Sequence, residues 1–326
     1  MLHCLGHEEH VESLPFFVLA DPLMTHSSEY VLGRDRHAGR RLEIQDAQYA
    51  SASEALLDEL ALRPADRVVE FGTGPGWFSR RVLKRMGRGG VLVGVDYTPD
   101  LLEQARANVA GCSEARFETV TADVSRLGSW IENADAVVGR TVLHHIPLVE
   151  TFLGRLRVAL RPGTKVGFVE PEFRALLGRL AVLEAGLPVD ELPAAASLTP
   201  GPSPAGRGES RVAGAPRPEL AVLRRWAEGI SRFYQASGLS TSMGGTMGWA
   251  LEAAGFRDVR VDSSEGAADE TVIENMLLYY DEIREKYVAM GIMTADQIER
   301  EKRELRALSK ANIPAVWGIH RATAVT

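Results

Sequence analysis

Glu70-Phe71-Gly72-Thr73-Gly74-Pro75-Gly76, entered from the apolar run Arg67-Val68-Val69, decides how this chain folds. It reads as a strand that ends in an acid and runs into a glycine turn opening a helix. Glycines at 72, 74 and 76 let the backbone take left-handed angles and approach a ligand closely. Taken alone, the turn fits either a nucleotide-like ligand or a purely structural corner.

The residues downstream narrow the choice. Val91-Leu92-Val93-Gly94-Val95 is a second strand ending in Asp96, and Arg116-Phe117-Glu118-Thr119-Val120-Thr121 is a third, followed by Asp123. Intervals of 26 residues (Glu70 to Asp96) and 27 residues (Asp96 to Asp123) each fit one strand-helix unit. Asp135-Ala136-Val137-Val138-Gly139 is a fourth strand, leading into Arg140-Thr141-Val142-Leu143-His144-His145-Ile146-Pro147. A dinucleotide fingerprint needs its third glycine at position 77, which is Trp77, so that pattern is broken. Three acids at successive strand ends suit a ligand with an amino acid, a ribose and an adenine in a row.

At this point the chain resembles the class I S-adenosylmethionine-dependent methyltransferases of small-molecule type. The resemblance rests on Glu70 to Gly76, Asp96, Asp123-Val124, Arg140 to Pro147, Leu160-Arg161-Pro162-Gly163-Thr164 and Leu251-Glu252-Ala253-Ala254-Gly255-Phe256. It spans roughly residues 45–171 and 219–324. It implies an α/β fold: a seven-stranded Rossmann-like sheet with helices on both faces, the last strand antiparallel, plus a helical lid. S-adenosyl-L-methionine is the implied cofactor. Gly72, Thr73, Gly74 and Gly76 would wrap its methionine half, with Glu70 near the cationic groups. Asp96 would accept from the ribose hydroxyls, Tyr97 would stack on the adenine, and Asp123 with Val124 would border it, Asp123 otherwise serving as a helix cap. Arg140 belongs to the same constellation, and Tyr30 to an N-terminal segment that covers the cofactor in such relatives.

The implied reaction is in-line displacement at a methyl carbon, with an acceptor of lipid-quinone or natural-product type. His144, His145 and Glu170 sit at the carboxyl end of the sheet and are the candidate catalytic residues. Two other readings stay open: an NAD(P)-dependent oxidoreductase, and a protein that binds S-adenosylmethionine without catalysis.

Composition narrows the class further. The 326 residues are 45% hydrophobic and 25% charged, an ordinary globular balance. Net charge is −7 with the basic residues dispersed, which disfavours nucleic acid as a partner. No apolar run reaches membrane-spanning length. Cys4 and Cys112 form no CxxC, consistent with a reducing cytoplasm. His3, Cys4, His7 and His10 read as a terminal tail rather than a metal site, so no metal is expected. A homodimer is compatible with all of this.

The expected organisation is a helical lid at 1–62, a cofactor-binding core at 63–171, lid helices at 172–250, and completion of the sheet at 251–326. Ser51-Ala52-Ser53-Glu54 has the pattern of a capping box, and Thr98-Pro99-Asp100 that of a helix start. A helix is expected to start at Pro147. Residues 193–218 are roughly three quarters Pro, Gly, Ala and Ser and read as a disordered insertion.

Overall fold

The computed structural model describes residues 36–184, 217–311 and 313–326. Tyr30, the N-terminal histidines and most of the expected insertion lie outside the described residues. Helix α7 begins at Pro218, so the interval's last residue belongs to a helix, with proline at a first-turn position that needs no N–H donor.

Seven strands form one sheet: β1 (Arg67–Phe71), β2 (Val91–Asp96), β3 (Arg116–Thr121), β4 (Ala136–Arg140), β5 (Lys165–Pro171), β6 (Arg257–Ala268) and β7 (Ile313–Val325). Their order is β3-β2-β1-β4-β5-β7-β6. All neighbours are parallel except β7, which runs antiparallel to β5 and to β6. The direction of strand order reverses between β1 and β4, which opens a crevice at their carboxyl ends. Both glycine turn and histidine loop leave the sheet there. An antiparallel strand inserted between β5 and β6 is absent from the dinucleotide fold's 3-2-1-4-5-6 order, so the oxidoreductase alternative finds no support in this sheet.

The central strands are buried on both faces, as expected of parallel strands rich in Val and Phe. Phe71, Val137, Phe168, Phe152 and Leu156 centre a core that also takes Met243, Met247, Ala250 and Leu251. Those last four lie on α8 (Met243–Ala253), so α8 is a core helix and not part of a lid. Helix α2 (Ala50–Leu60) likewise covers the sheet: a side chain added at Gly167 of β5 would lie 2.8 Å from Leu60.

The helices over the crevice are instead α1 (Arg36–Gln48), α6 (Phe173–Glu184), α7 (Pro218–Ala236) and α9 (Glu270–Ala289), with α10 (Ala295–Ala307) packed behind α7 and α9. Arg41 of α1 and Glu282 of α9 form an ion pair at 2.9 Å with both side chains 1% exposed, tying the roof together. The capping box expected at Ser51 does not form. Helix α2 starts at Ala50, inside which Ser53 donates back to the Tyr49 carbonyl at 2.7 Å. Pro147 precedes rather than starts α5 (Val149–Ala159), whose N-cap is Leu148 with φ +50°.

Candidate active site

The turn after β1 is built as the glycines require. Gly72, Gly74 and Gly76 have φ of +65°, +51° and +83°. The N–H groups of Gly72 and Thr73 both donate to the Val95 carbonyl, at 2.9 and 3.2 Å, which pins the turn to β2. Gly76 N-caps α3 (Trp77–Leu83), and a Cβ there would meet the Ala105 backbone at 2.9 Å. Among the described residues a Cβ at Gly74 would meet only Leu42 of α1, at 4.0 Å, so the turn lies beneath α1.

Glu70 is 1% exposed. Its Oε2 accepts from the Ser79 hydroxyl at 2.6 Å, while Oε1 has no partner among the described residues. Burial pushes its carboxyl up to about 8, opposed by the Ser79 hydrogen bond and by the charge of Arg140 and reinforced by that of Asp96. A buried oxygen left open in this way fits a ligand ammonium, which would stabilise the carboxylate.

Asp96 is also buried, and burial raises its pKa against three backbone N–H groups. Gly74 N–H donates to Oδ2 and Thr98 N–H to Oδ1, each at 2.9 Å. Asp96 is therefore both the expected ribose acceptor and the residue that holds the glycine turn. Tyr97 follows, half-buried. Asp123 caps no α-helix. Its Oδ1 accepts from the N–H and hydroxyl of Ser125 at 2.9 and 2.7 Å, and its Oδ2 makes a long ion pair with Arg126 Nε at 3.8 Å. Val124 packs against the core.

Arg140 does not hang free in the crevice. Its Nη1 lies 2.6 Å from Asp46 of α1, and its guanidinium stands over the Phe78 ring at 5.1 Å. Asp46 also receives Arg81 at 2.6 Å, so the pair of arginines docks α1 onto the cofactor side of the sheet.

The three catalytic candidates form one unit. Glu170 is fully buried, its Oε1 accepting from the N–H of Val142 at 2.9 Å and of Leu143 at 2.8 Å. Its Oε2 lies 2.5 Å from Nδ1 of His144, itself 2% exposed. Glu170 thus folds the loop and orients the imidazole, and does not face the crevice as a free base. An ionised Glu170 makes Nδ1 the donor and leaves Nε2 with its lone pair. His145 stacks on His144 with ring centroids 4.0 Å apart, and burial, with the charges of His144 and Arg41, holds its pKa well below the usual range.

Residues not anticipated from sequence complete the surroundings. Tyr234 of α7 lies 5.6 Å from the His144 ring and stacks on Phe173 of α6 at 5.3 Å. Tyr279 of α9 approaches the Tyr234 hydroxyl at 3.4 Å and carries Arg41 over its ring at 4.7 Å. No local pattern in the sequence singles these aromatic residues out. Their convergence comes from segments far apart in sequence.

Residues 68–163 match the protein family described as "Methyltransferase domain". The chain is 27% identical over 106 residues to an arsenite methyltransferase of Halobacterium salinarum, covering 32% of this chain and 27% of that protein. It is 30% identical over 150 residues to a trans-aconitate 2-methyltransferase of Rhizobium leguminosarum, covering 45% of this chain and 55% of the relative. The chain thus spans well under two thirds of the length of these relatives. In fold it is similar to Haemonchus contortus phosphoethanolamine N-methyltransferase 2, solved with phosphomonomethylethanolamine and S-adenosylhomocysteine: TM-score 0.50, 13% identity, 89% of this chain and 57% of that one. Residues 68–163 thus match a methyltransferase domain, and the sheet that holds them is the seven-stranded sheet of the Rossmann-like methyltransferase fold.

Proposed function

We propose that the protein transfers the methyl group of S-adenosyl-L-methionine to a small-molecule acceptor. The observation that carries this reading is the turn after β1. Three positive-φ glycines, a buried Glu70 with one oxygen unpartnered among the described residues and an Asp96 bonded to Gly74 converge at the carboxyl ends of β1 and β2. The methyl-donor relatives and the matched domain support it.

Bound S-adenosylmethionine supplies an electrophilic methyl group on a sulfonium. Glu70 receives its ammonium, Asp96 accepts from its ribose, Tyr97 and Val124 border the adenine, and Asp123 offers Oδ2 to the exocyclic amine. Helix α1 belongs to the cover over this half. On the acceptor side, His144 Nε2 would take the proton of a hydroxyl or amine nucleophile as that nucleophile's lone pair bonds to the methyl carbon and the sulfonium S–C bond breaks, leaving neutral S-adenosylhomocysteine. The positive charge then forms on His144, beside the Glu170 carboxylate, before the proton leaves to solvent. Phe173, Tyr234 and Tyr279 exclude water, so alignment contributes much of the acceleration. A lipid-quinone or natural-product acceptor suits that aromatic lining.

Among the described residues no helix is long and apolar enough to cross a membrane, and Cys112 is a free thiol, in keeping with a reducing cytoplasm. The test is incubation with methyl-labelled S-adenosylmethionine and a small-molecule extract. Label in a low-mass product, absent with Asp96→Ala, is the expected result. Cofactor binding without any labelled product would favour the non-catalytic reading.

A further inference from the structure

Two buried nitrogens near the candidate active site have no hydrogen-bond partner among the described residues: Nε2 of His320 and Nη1 of Arg179, in residues 4% and 7% exposed. Leaving such groups unpaired costs far more than an ordinary hydrogen bond contributes, and more still for a guanidinium.

They belong together. His320 on β7 pairs with Glu170 on β5, so the two side chains leave the same face of the sheet side by side. Gly318, two residues earlier on that face, has no side chain, and a Cβ there would lie 3.4 Å from Arg179 Nη1. The guanidinium of α6 therefore reaches over Gly318 towards His320, and its charge, after burial, is what lowers the His320 pKa. This end of β7 lies against the carboxyl end of β5, where ligands bind in such sheets.

The neighbouring carboxylates are already committed. Glu170 holds Val142, Leu143 and His144. Glu172 accepts from Arg174 at 3.0 Å, Ala175 at 3.3 Å and Gly245 at 2.6 Å through its two oxygens. Glu265 pairs with Nη2 of Arg179 and leaves Nη1 open. A guanidinium N–H beside an imidazole nitrogen that can carry hydrogen is a two-donor arrangement suited to an oxyanion.

We propose that Arg179 and His320 form an oxyanion subsite for the acceptor, which is therefore a small molecule bearing a carboxylate or a phosphate. The inference rests on the methyl-transfer reading. It places the anionic group about one strand spacing, ~5 Å, beyond Glu170 as seen from His144. The nucleophile then lies at His144 and the anion holds the far end of the molecule.

Calorimetry on the full chain saturated with S-adenosylhomocysteine tests it, with benzoate, phenyl phosphate and neutral benzamide as probes. The better of the two anions should bind roughly ten- to a hundredfold tighter than benzamide, and which one does so separates carboxylate from phosphate. Arg179→Lys, which keeps the charge facing Glu265, and His320→Phe, which keeps the ring volume, should each abolish that preference without altering S-adenosylhomocysteine affinity. Equal binding of anions and benzamide by the native protein, which needs no variant to fold, would overturn the subsite and leave the donors to a buried water. So would a preference that survives both substitutions. Failure of S-adenosylhomocysteine itself to bind would instead remove the reading beneath it.

Discussion

His144 Nδ1 lies 2.5 Å from Glu170 Oε2, and the other oxygen of that carboxylate holds the two backbone N–H groups that begin the same loop. One buried side chain on β5 thus fixes both the path of the segment after β4 and the tautomer of its histidine. Glu170→Gln presents an amide N–H2 or a weaker acceptor to His144. It should cost about 1–3 kcal/mol of stability and lower turnover more than it lowers S-adenosylmethionine affinity. His144→Ala should lower kcat about 10²–10⁴-fold with the cofactor still bound. Equal, modest losses of rate and affinity in both variants would leave the pair a purely structural role.

Glu70 makes the ligand-free protein sensitive to pH. Its carboxyl sits near 8 in the folded state against an ordinary 4.5, so between those values the folded protein holds a proton that the unfolded chain has lost. This contribution to stability is complete below about 4.5 and is lost as pH rises through about 8. Melting temperature should therefore fall from pH 6 to pH 9 more steeply in the native protein than in Glu70→Gln. At pH 7, binding of S-adenosylhomocysteine should release a proton, seen as a dependence of binding heat on buffer ionisation enthalpy. Glu70→Gln should abolish that release, and an unchanged buffer dependence would place the ligand ammonium elsewhere.

The Arg41–Glu282 pair is sealed at both ends, so the two single substitutions should be worse than the double. Glu282→Leu leaves a buried guanidinium uncompensated and should cost about 3–5 kcal/mol in denaturant unfolding. Arg41→Met combined with Glu282→Leu should recover most of that loss. Additive effects would mean that the pair does not join α1 to α9 in solution.

The sheet was legible because each strand signals itself locally. Val68-Val69, Val91 to Val95 and Val137-Val138 are apolar runs stopped by a glycine turn, an acid or an arginine loop, and their spacing dictates parallel crossovers. The positive φ of Gly72, Gly74 and Gly76 could be foreseen because only glycine takes such angles cheaply. Glu170 lies at the expected end of β5, but its hydrogen bonds to Val142, Leu143 and His144 were not legible, because those partners lie 26 to 28 residues upstream. Arg41 and Glu282 are 241 residues apart, and neither has a local neighbour that betrays the other. The capping-box pattern at Ser51 failed for a related reason. Helix α1 runs almost directly into α2, so no free N-terminus exists there to be capped.

Calorimetric titration of the native chain and of Asp96→Ala with S-adenosylhomocysteine and, separately, with NADH probes the ligand held by the turn after β1. One S-adenosylhomocysteine should bind per native chain, with no comparable NADH binding. Affinity should weaken by about 1.5–3 kcal/mol in Asp96→Ala. Melting should also occur a few degrees lower in that variant, because the N–H groups of Gly74 and Thr98 lose their acceptor. Unchanged S-adenosylhomocysteine affinity in Asp96→Ala, or tighter binding of NADH by the native chain, would contradict the assignment of S-adenosylmethionine to this turn.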